Sequence, residues 1–180
     1  MPIIKIYPSK RPVRGILQYI TRGDTVPEEL IRTNGCDILD AEQEFSDIAR
    51  YYNKPTGAGN RTYYHMIVSY NTTYEKISPE EVRDMVKDLC QRTKIDCYQW
   101  YLAVHTDRPD HMHAHVVINN VSYRGDRKQH VKAGKSFQST GKLRHELMEK
   151  GNVICKEHGY EHSLVNTKSK AQERLTRAEL

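Results

Sequence analysis

Long apolar runs are missing from this chain. No stretch approaches the ~20 residues that a membrane-spanning helix needs, and nothing after Met1 has the apolar core of a secretory signal. The reading at this point is therefore no membrane insertion and a cytoplasmic protein. Cysteine is scarce as well. The four, at positions 36, 90, 97 and 155, form neither a C-x-x-C pair nor a zinc spacing. That sets aside a disulfide scaffold and leaves reduced thiols as the expectation. Phe and Trp are nearly absent, two and one, against twelve Tyr. No internal repeat or low-complexity tract is found. A mean hydropathy of −0.78 over 180 residues suits one polar, well-packed domain and is too apolar for wholesale disorder.

What is present in excess is positive charge, and its placement matters more than the net +5. Between Tyr123 and Arg144 stand Arg124, Arg127, Lys128, Lys132, Lys135, Lys142 and Arg144 against the single acid Asp126. A smaller basic group, Lys10, Arg11 and Arg14, lies near the start. Solvated surface is the plain reading of such runs. Two of them on one polar domain point to a polyanion as partner, with Tyr available to stack on unpaired bases.

Apolar periodicity organises the rest. Ile3 to Tyr7 reads as a strand ended by Pro8. Pro12 opens a helix to about Arg22, with Val13, Ile16, Leu17 and Ile20 as its buried stripe and Tyr19 flanking it. Residues 24–37 read as an irregular crossing with a turn at Asn34-Gly35. A helix from Asp40 to Asn53 is expected to bury Ala41, Phe45, Ile48 and Tyr52. Tyr63 to Tyr70 is a strongly apolar strand. Ser78-Pro79-Glu80-Glu81 is a capped helix start. Cys97 to Thr106 and Met112 to Ser122 form two strands around a short polar loop. Gly141 to His158 is a last helix, expected to break or kink near Gly151. The order favours an α+β fold, a central, mainly antiparallel β-sheet flanked by helices, with the helices on one face. Residues 1–165 make the domain. Residues 166–180, charged and almost core-free, read as a linker or the start of an extension.

The chemistry sits in His105-Thr-Asp107-Arg-Pro-Asp110-His111-Met-His113-Ala-His115-Val-Val-Ile-Asn119. Side chains two apart share a strand face, so His113, His115 and Asn119 point together, as do His105 and Asp107. If the two strands pair, three imidazoles converge on one divalent ion with open positions left for a substrate. Asp107 is then placed to orient an imidazole or take up a proton. The same segment also satisfies the histidine-triad pattern of nucleotide hydrolases and transferases. There the middle histidine, His113, would be a metal-free nucleophile. A third reading, a non-enzymatic DNA-binding module, explains the basic stretch and not the histidines.

The combination resembles the conjugative relaxases, the MobA/VirD2-like HUH single-strand nucleases. The His105-x-Asp107, His113-x-His115 and Asn119 pattern is similar to their third motif. Ile-Leu-Gln-Tyr19-Ile-Thr-Arg is similar to the first, and Tyr64-His65-Met-Ile-Val-Ser69-Tyr70 to the second. Two departures stand out. Asn71-Thr-Thr-Tyr-Glu75 replaces an acidic or proline-rich turn, and His111 adds a fourth histidine as site support beside Asn119. The resemblance implies site- and strand-specific nicking and rejoining of DNA at an origin of transfer through a 5′-phosphotyrosyl adduct. Tyr19 would be the nucleophile, and His105, His113 and His115 would hold Mn²⁺, Mg²⁺ or another first-row ion. Ser69, Lys10, Arg11, Arg14, Arg124, Arg127, Lys128, Lys132 and Lys135 would contact DNA. Implied partners are single-stranded and hairpin DNA, an accessory DNA-binding protein and a type IV secretion coupling protein, in a bacterial cytoplasm from which the protein travels with the DNA. A rolling-circle replication initiator is a close variant with the same chemistry. His65 reads as structural.

Overall fold

The computed structural model describes residues 3–22, 26–57, 59–72, 75–108 and 112–161. Along the chain run β1 (Ile3–Ser9), α1 (Val13–Thr21), β2 (Ile31–Asn34), α2 (Ala41–Tyr51), β3 (Tyr63–Ser69), α3 (Pro79–Gln91), β4 (Tyr98–His105), β5 (His113–Ser122) and α4 (Gly141–Glu157). The strands form one sheet in the order β1-β3-β5-β4-β2, and each neighbouring pair is antiparallel.

Burial explains why β5 and β4 are central. Every residue of β4 is buried, and β5 is buried except at His113 and Asn120. Strands apolar on both sides need cover on both sides. The helices accordingly divide between the two faces, which corrects the expectation of a one-sided arrangement. On one face α2 brings the Phe45 carbonyl to the Asn119 amide, 3.2 Å away, and α1 lies over the histidines. On the other, α4 runs past Ile4 of β1, with α3 packed beside α4. The ends of α3 and α4 are tied by Arg92, which donates to both Glu157 and Asp88.

Local details follow the same logic. α3 starts with a full capping box, Ser78 Oγ accepting from the Glu81 amide and the Glu81 carboxylate accepting from the Ser78 amide. Pro8 falls inside β1 instead of ending it. β1 is an edge strand, where one missing N–H is tolerated. Pro12 is the residue before the first turn of α1, and the stripe Val13, Ile16, Leu17 and Ile20 packs on the core as the periodicity requires.

Three expectations need correction. Residues 31–34 are not irregular: Ile31 to Asn34 pair with Trp100 to Ala103. Four residues carry too little alternation to announce a strand, and only the long partner β4 makes them one. The Gly35 turn that follows has φ +65°, and a Cβ there would lie 2.8 Å from the Tyr123 ring, so glycine is required on both counts. The last helix runs unbroken through the buried Gly151, because tertiary packing outweighs the ~1 kcal/mol propensity penalty of one glycine. In α2 the buried residues are Ala41, Phe45 and Ala49, an i, i+4, i+8 stripe rotated slightly from the expected one.

Candidate active site

Antiparallel register brings the histidines together. His105, at the end of β4, is directly opposite His113 at the start of β5, and His115 is opposite Ala103. One sheet face therefore presents all three imidazoles. Their ring centroids lie 5.2 Å (His105–His113), 4.3 Å (His105–His115) and 4.9 Å (His113–His115) apart. One nitrogen from each falls within 4.8 Å of the others. His105 and His115 are each only 2% exposed, and His113 is half-buried.

Each buried ring is held by a partner. His105 Nε2 lies 2.8 Å from the Ile20 carbonyl of α1, which only an N–H can satisfy. That proton leaves Nδ1 as the lone-pair nitrogen, with Arg22 Nη2 3.2 Å away. His115 Nδ1 lies 2.8 Å from Nε2 of His65 on β3, and the two rings stack at 27°. Burial, followed by the neighbouring imidazoles, keeps His115 far below the ordinary imidazole range. Burial and the nearby His105 lower His65 to about 4. His105 is also lowered, mainly by burial. These three rings are thus neutral at pH 7, the state in which an imidazole offers a lone pair.

Tyr19 approaches from α1. Its ring stands edge-on to His115 at 5.6 Å and to His105 at 6.1 Å between centroids, yet the residue is 57% exposed. A phenol beside the imidazoles and open to solvent is accessible to a large substrate. α1 ends immediately beyond it, with Arg22 in the left-handed region at φ 51°. A non-glycine residue there is strained. Arg22 Nη2 pairs with Asp107 at 3.0 Å and reaches His105, contacts that hold the strained residue in place. That hydrogen bond from Arg22 is the main reason the exposed Asp107 carboxyl lies below its usual range.

The other residues singled out from the sequence distribute unevenly. Ser69 at the end of β3 is opposite His113 and so borders the histidines. Asn119 shares their face but lies four residues along β5, about 14 Å at the usual rise per residue. There its amide donates to Phe45 and Gln99. Arg11 and Arg14 line a groove with Tyr19, and Lys10 lies just before them. Arg124, Arg127, Lys128, Lys132 and Lys135 follow the far end of β5, about 30 Å from His113 along the strand. Arg124 is there paired with Asp96, and Lys128 and Lys135 line a separate basic cleft with Lys94 and Lys142. His111 lies outside the described residues. Sequence reasoning missed the contacts of two residues, Arg22 and His65. Arg22 follows Tyr19 at i+3, hence on one side of α1, and that spacing was the available signal. Nothing local identifies His65, because its partner comes from another strand.

The residues fit a divalent ion. Among the described residues His115 Nε2 is buried without a hydrogen-bond partner, and a bound ion is one of the few things that account for an orphaned buried nitrogen. The donor set, three imidazoles, suits a first-row ion.

Comparison with known proteins bears on the family. The family model described as "Relaxase: MobA/VirD2-like, nuclease domain" matches residues 19–160. Two proteins named rlx, both from Staphylococcus aureus, are 29% and 26% identical over 144 residues, 80% of this chain. They extend well beyond it: the chain spans about two-fifths of their length. A solved structure from work on the molecular basis of vancomycin resistance transfer in Staphylococcus aureus superimposes with a TM-score of 0.63. The match covers 94% of this chain and 99% of that one at 10% identity, a likeness of fold. With the family model covering most of the chain, including Tyr19 and the histidine hairpin, the chain belongs to the MobA/VirD2-like relaxases and corresponds to their nuclease domain.

Proposed function

We propose that this domain cuts one strand of DNA at an origin of transfer and can rejoin it, Tyr19 being the nucleophile. The observation that carries the reading is an exposed phenol standing edge-on to two buried, neutral histidines of a convergent triad. In the proposed reaction Tyr19 Oη bonds to the scissile phosphorus, and the bond from phosphorus to the 3′ oxygen breaks. The phenol proton passes to solvent and the departing 3′ oxygen takes one up. The 5′-phosphotyrosyl ester conserves the bond, so the reverse attack reseals the strand without ATP.

A phenol is protonated at neutral pH and needs nearby positive charge to react. Arg22 supplies it beside His105, and Asp107 acts through Arg22 by holding the guanidinium in position. His105, His113 and His115 would hold a divalent ion, which when bound supplies Lewis-acid stabilisation of charge growing on the phosphoryl oxygens. Mn²⁺ or another first-row ion suits three imidazoles better than Mg²⁺ does. The direct test is incubation of the protein with labelled single-stranded oligonucleotides and Mn²⁺, followed by denaturing gels. A covalent protein–DNA band accompanied by a free 3′-OH product is expected. Turnover of nucleotides through a phosphohistidine instead would replace this reading with the histidine-triad one. Cytoplasmic location, transfer of the protein with the DNA, and recruitment by accessory and coupling proteins belong to the same proposal.

In the same reading His65 is a positioning residue. It accepts the Nδ1 proton of His115, which leaves the Nε2 lone pair available to hold an ion. Partners of this kind are typically worth 10–100-fold in metal affinity. His65→Ala is therefore expected to weaken Mn²⁺ binding, measured by calorimetry without DNA, by about 10–100-fold. His65→Gln keeps an acceptor and should recover much of it. Unchanged affinity in the alanine variant would reduce His65 to a packing residue.

A further inference from the structure

Tyr19 lines a groove of about 550 Å³ that follows the outer side of α1, with Arg11, Arg14, Gly15 and Tyr63 along it. At Pro12 this groove adjoins a second concavity of about 410 Å³, walled by Val13, Phe45, Ala49 and Val121 and edged by Lys10 and Arg61. The two share Pro12. They lie on the sheet face that carries the histidines, since Asn119 borders the cleft and His115 is four residues away on the same side of β5.

Resting on the relaxase reading above, we infer that the cleft takes one unpaired base of the DNA strand and that the α1 groove carries the backbone between that base and the scissile phosphate. Geometry supports this. A phosphate seated at Tyr19 Oη puts its neighbouring nucleotides into whatever concavity Tyr19 borders. From Tyr19 to Val13 the helix spans about 9 Å, a distance of a few nucleotides at most. The groove has room along its length, for a Cβ on Gly15 would meet nothing within 4 Å. Charge supports it too. Among the described residues that line the path, Lys10, Arg11, Arg14 and Arg61 stand against one acid, Glu42. Phosphate contacts of this kind position a strand without reading it. The cleft differs in character. Its apolar walls suit the face of a base, and its volume lies within the range of small-ligand sites. The strongly basic segment after β5 lines its own cleft with Lys94 and Lys142 and shares no lining residue with the groove at Tyr19, so the bases next to the nick would be read on the α1 side.

The test uses the full chain and a random-sequence single-stranded DNA library. The wild-type protein is expected to enrich a short motif. Abasic substitutions walked through the enriched oligonucleotide should weaken binding about tenfold at one position a few nucleotides from the nick, in the lower half of the range for losing one base contact. Ser46→Trp, a half-buried position at the cleft, should flatten the enriched motif at that same position while still forming the covalent adduct at saturating DNA. A uniform abasic profile, no enriched motif, or an unchanged motif with Ser46→Trp would overturn the inference while leaving the nickase reading intact. Absence of any covalent adduct with wild-type protein would instead remove the nickase reading on which it rests.

Discussion

Tyr19→Phe is expected to abolish both nicking and adduct formation while leaving affinity for single-stranded DNA nearly unchanged. The substitution deletes one hydroxyl from a side chain that is 57% exposed, so it opens no cavity, and its effect on stability should be within about 0.5 kcal/mol. The ring stays in place beside His105 and His115, and the path for DNA keeps its shape. What disappears is the atom that forms the bond. Loss of a covalent nucleophile typically removes more than ~10⁴-fold of the rate. Gel assays of nicking and peptide mapping of the adduct measure this directly. Nicking at the wild-type rate, or an adduct mapped to another tyrosine, would overturn the assignment. Tyr63, Tyr64 and Tyr70 are buried at 5%, 3% and 2% exposure, poorly placed for a macromolecular substrate, and the exposed Tyr7 lies on the edge strand β1.

The second large effect separates a metal centre from a histidine nucleophile. Chelator should stop nicking and Mn²⁺ should restore it. His105→Ala, His113→Ala and His115→Ala should each reduce activity by more than the ~100-fold upper range of a supporting residue, because each removes one ligand. A histidine-triad enzyme would rank them differently. His113 would be indispensable, His105 dispensable and chelator harmless. Since His105 and His115 are buried, thermal denaturation of each variant must accompany the assay, and His115→Gln offers a substitution of closer volume. The discriminating measurement is metal binding by folded variants. If His105→Ala binds Mn²⁺ and nicks as well as wild type, the proposed centre is wrong.

Much of this was readable along the chain because it depends on local chemistry. The capping box at Ser78, the stripe of α1 and the apolar run of β3 are set by residues within one or two turns of each other. The alternation of His113 and His115 places both on one face of a strand without any knowledge of its neighbours. Tyr19 at the flank of its helix is likewise a matter of 100° per residue. These patterns sufficed for an α+β fold with an antiparallel sheet, now observed, and for a set of candidate residues of which the sheet brings His105, His113 and His115 together.

Where local pattern stops, tertiary contact decides. Four residues of β2 become a strand only because β4 offers its edge. Helices occupy both faces because β4 and β5 are buried on both, which follows from their central positions in the sheet. The basic stretch between Tyr123 and Arg144 is the densest charge in the sequence, yet its residues follow the far end of β5 from the histidines. Sequence proximity along a ten-residue strand corresponds to about 30 Å in space. Most tellingly, the atoms that hold the site in register come from segments far apart in the chain. Ile20 and His105 meet across 85 positions, Arg22 and His105 across 83, His65 and His115 across 50. The sequence by itself determined which imidazoles can face the same way, because that is set by the two-residue repeat of a strand. Which nitrogen of His105 carries the proton was decided by the tertiary structure, since the Ile20 carbonyl that chooses it arrives only when α1 is laid across the sheet.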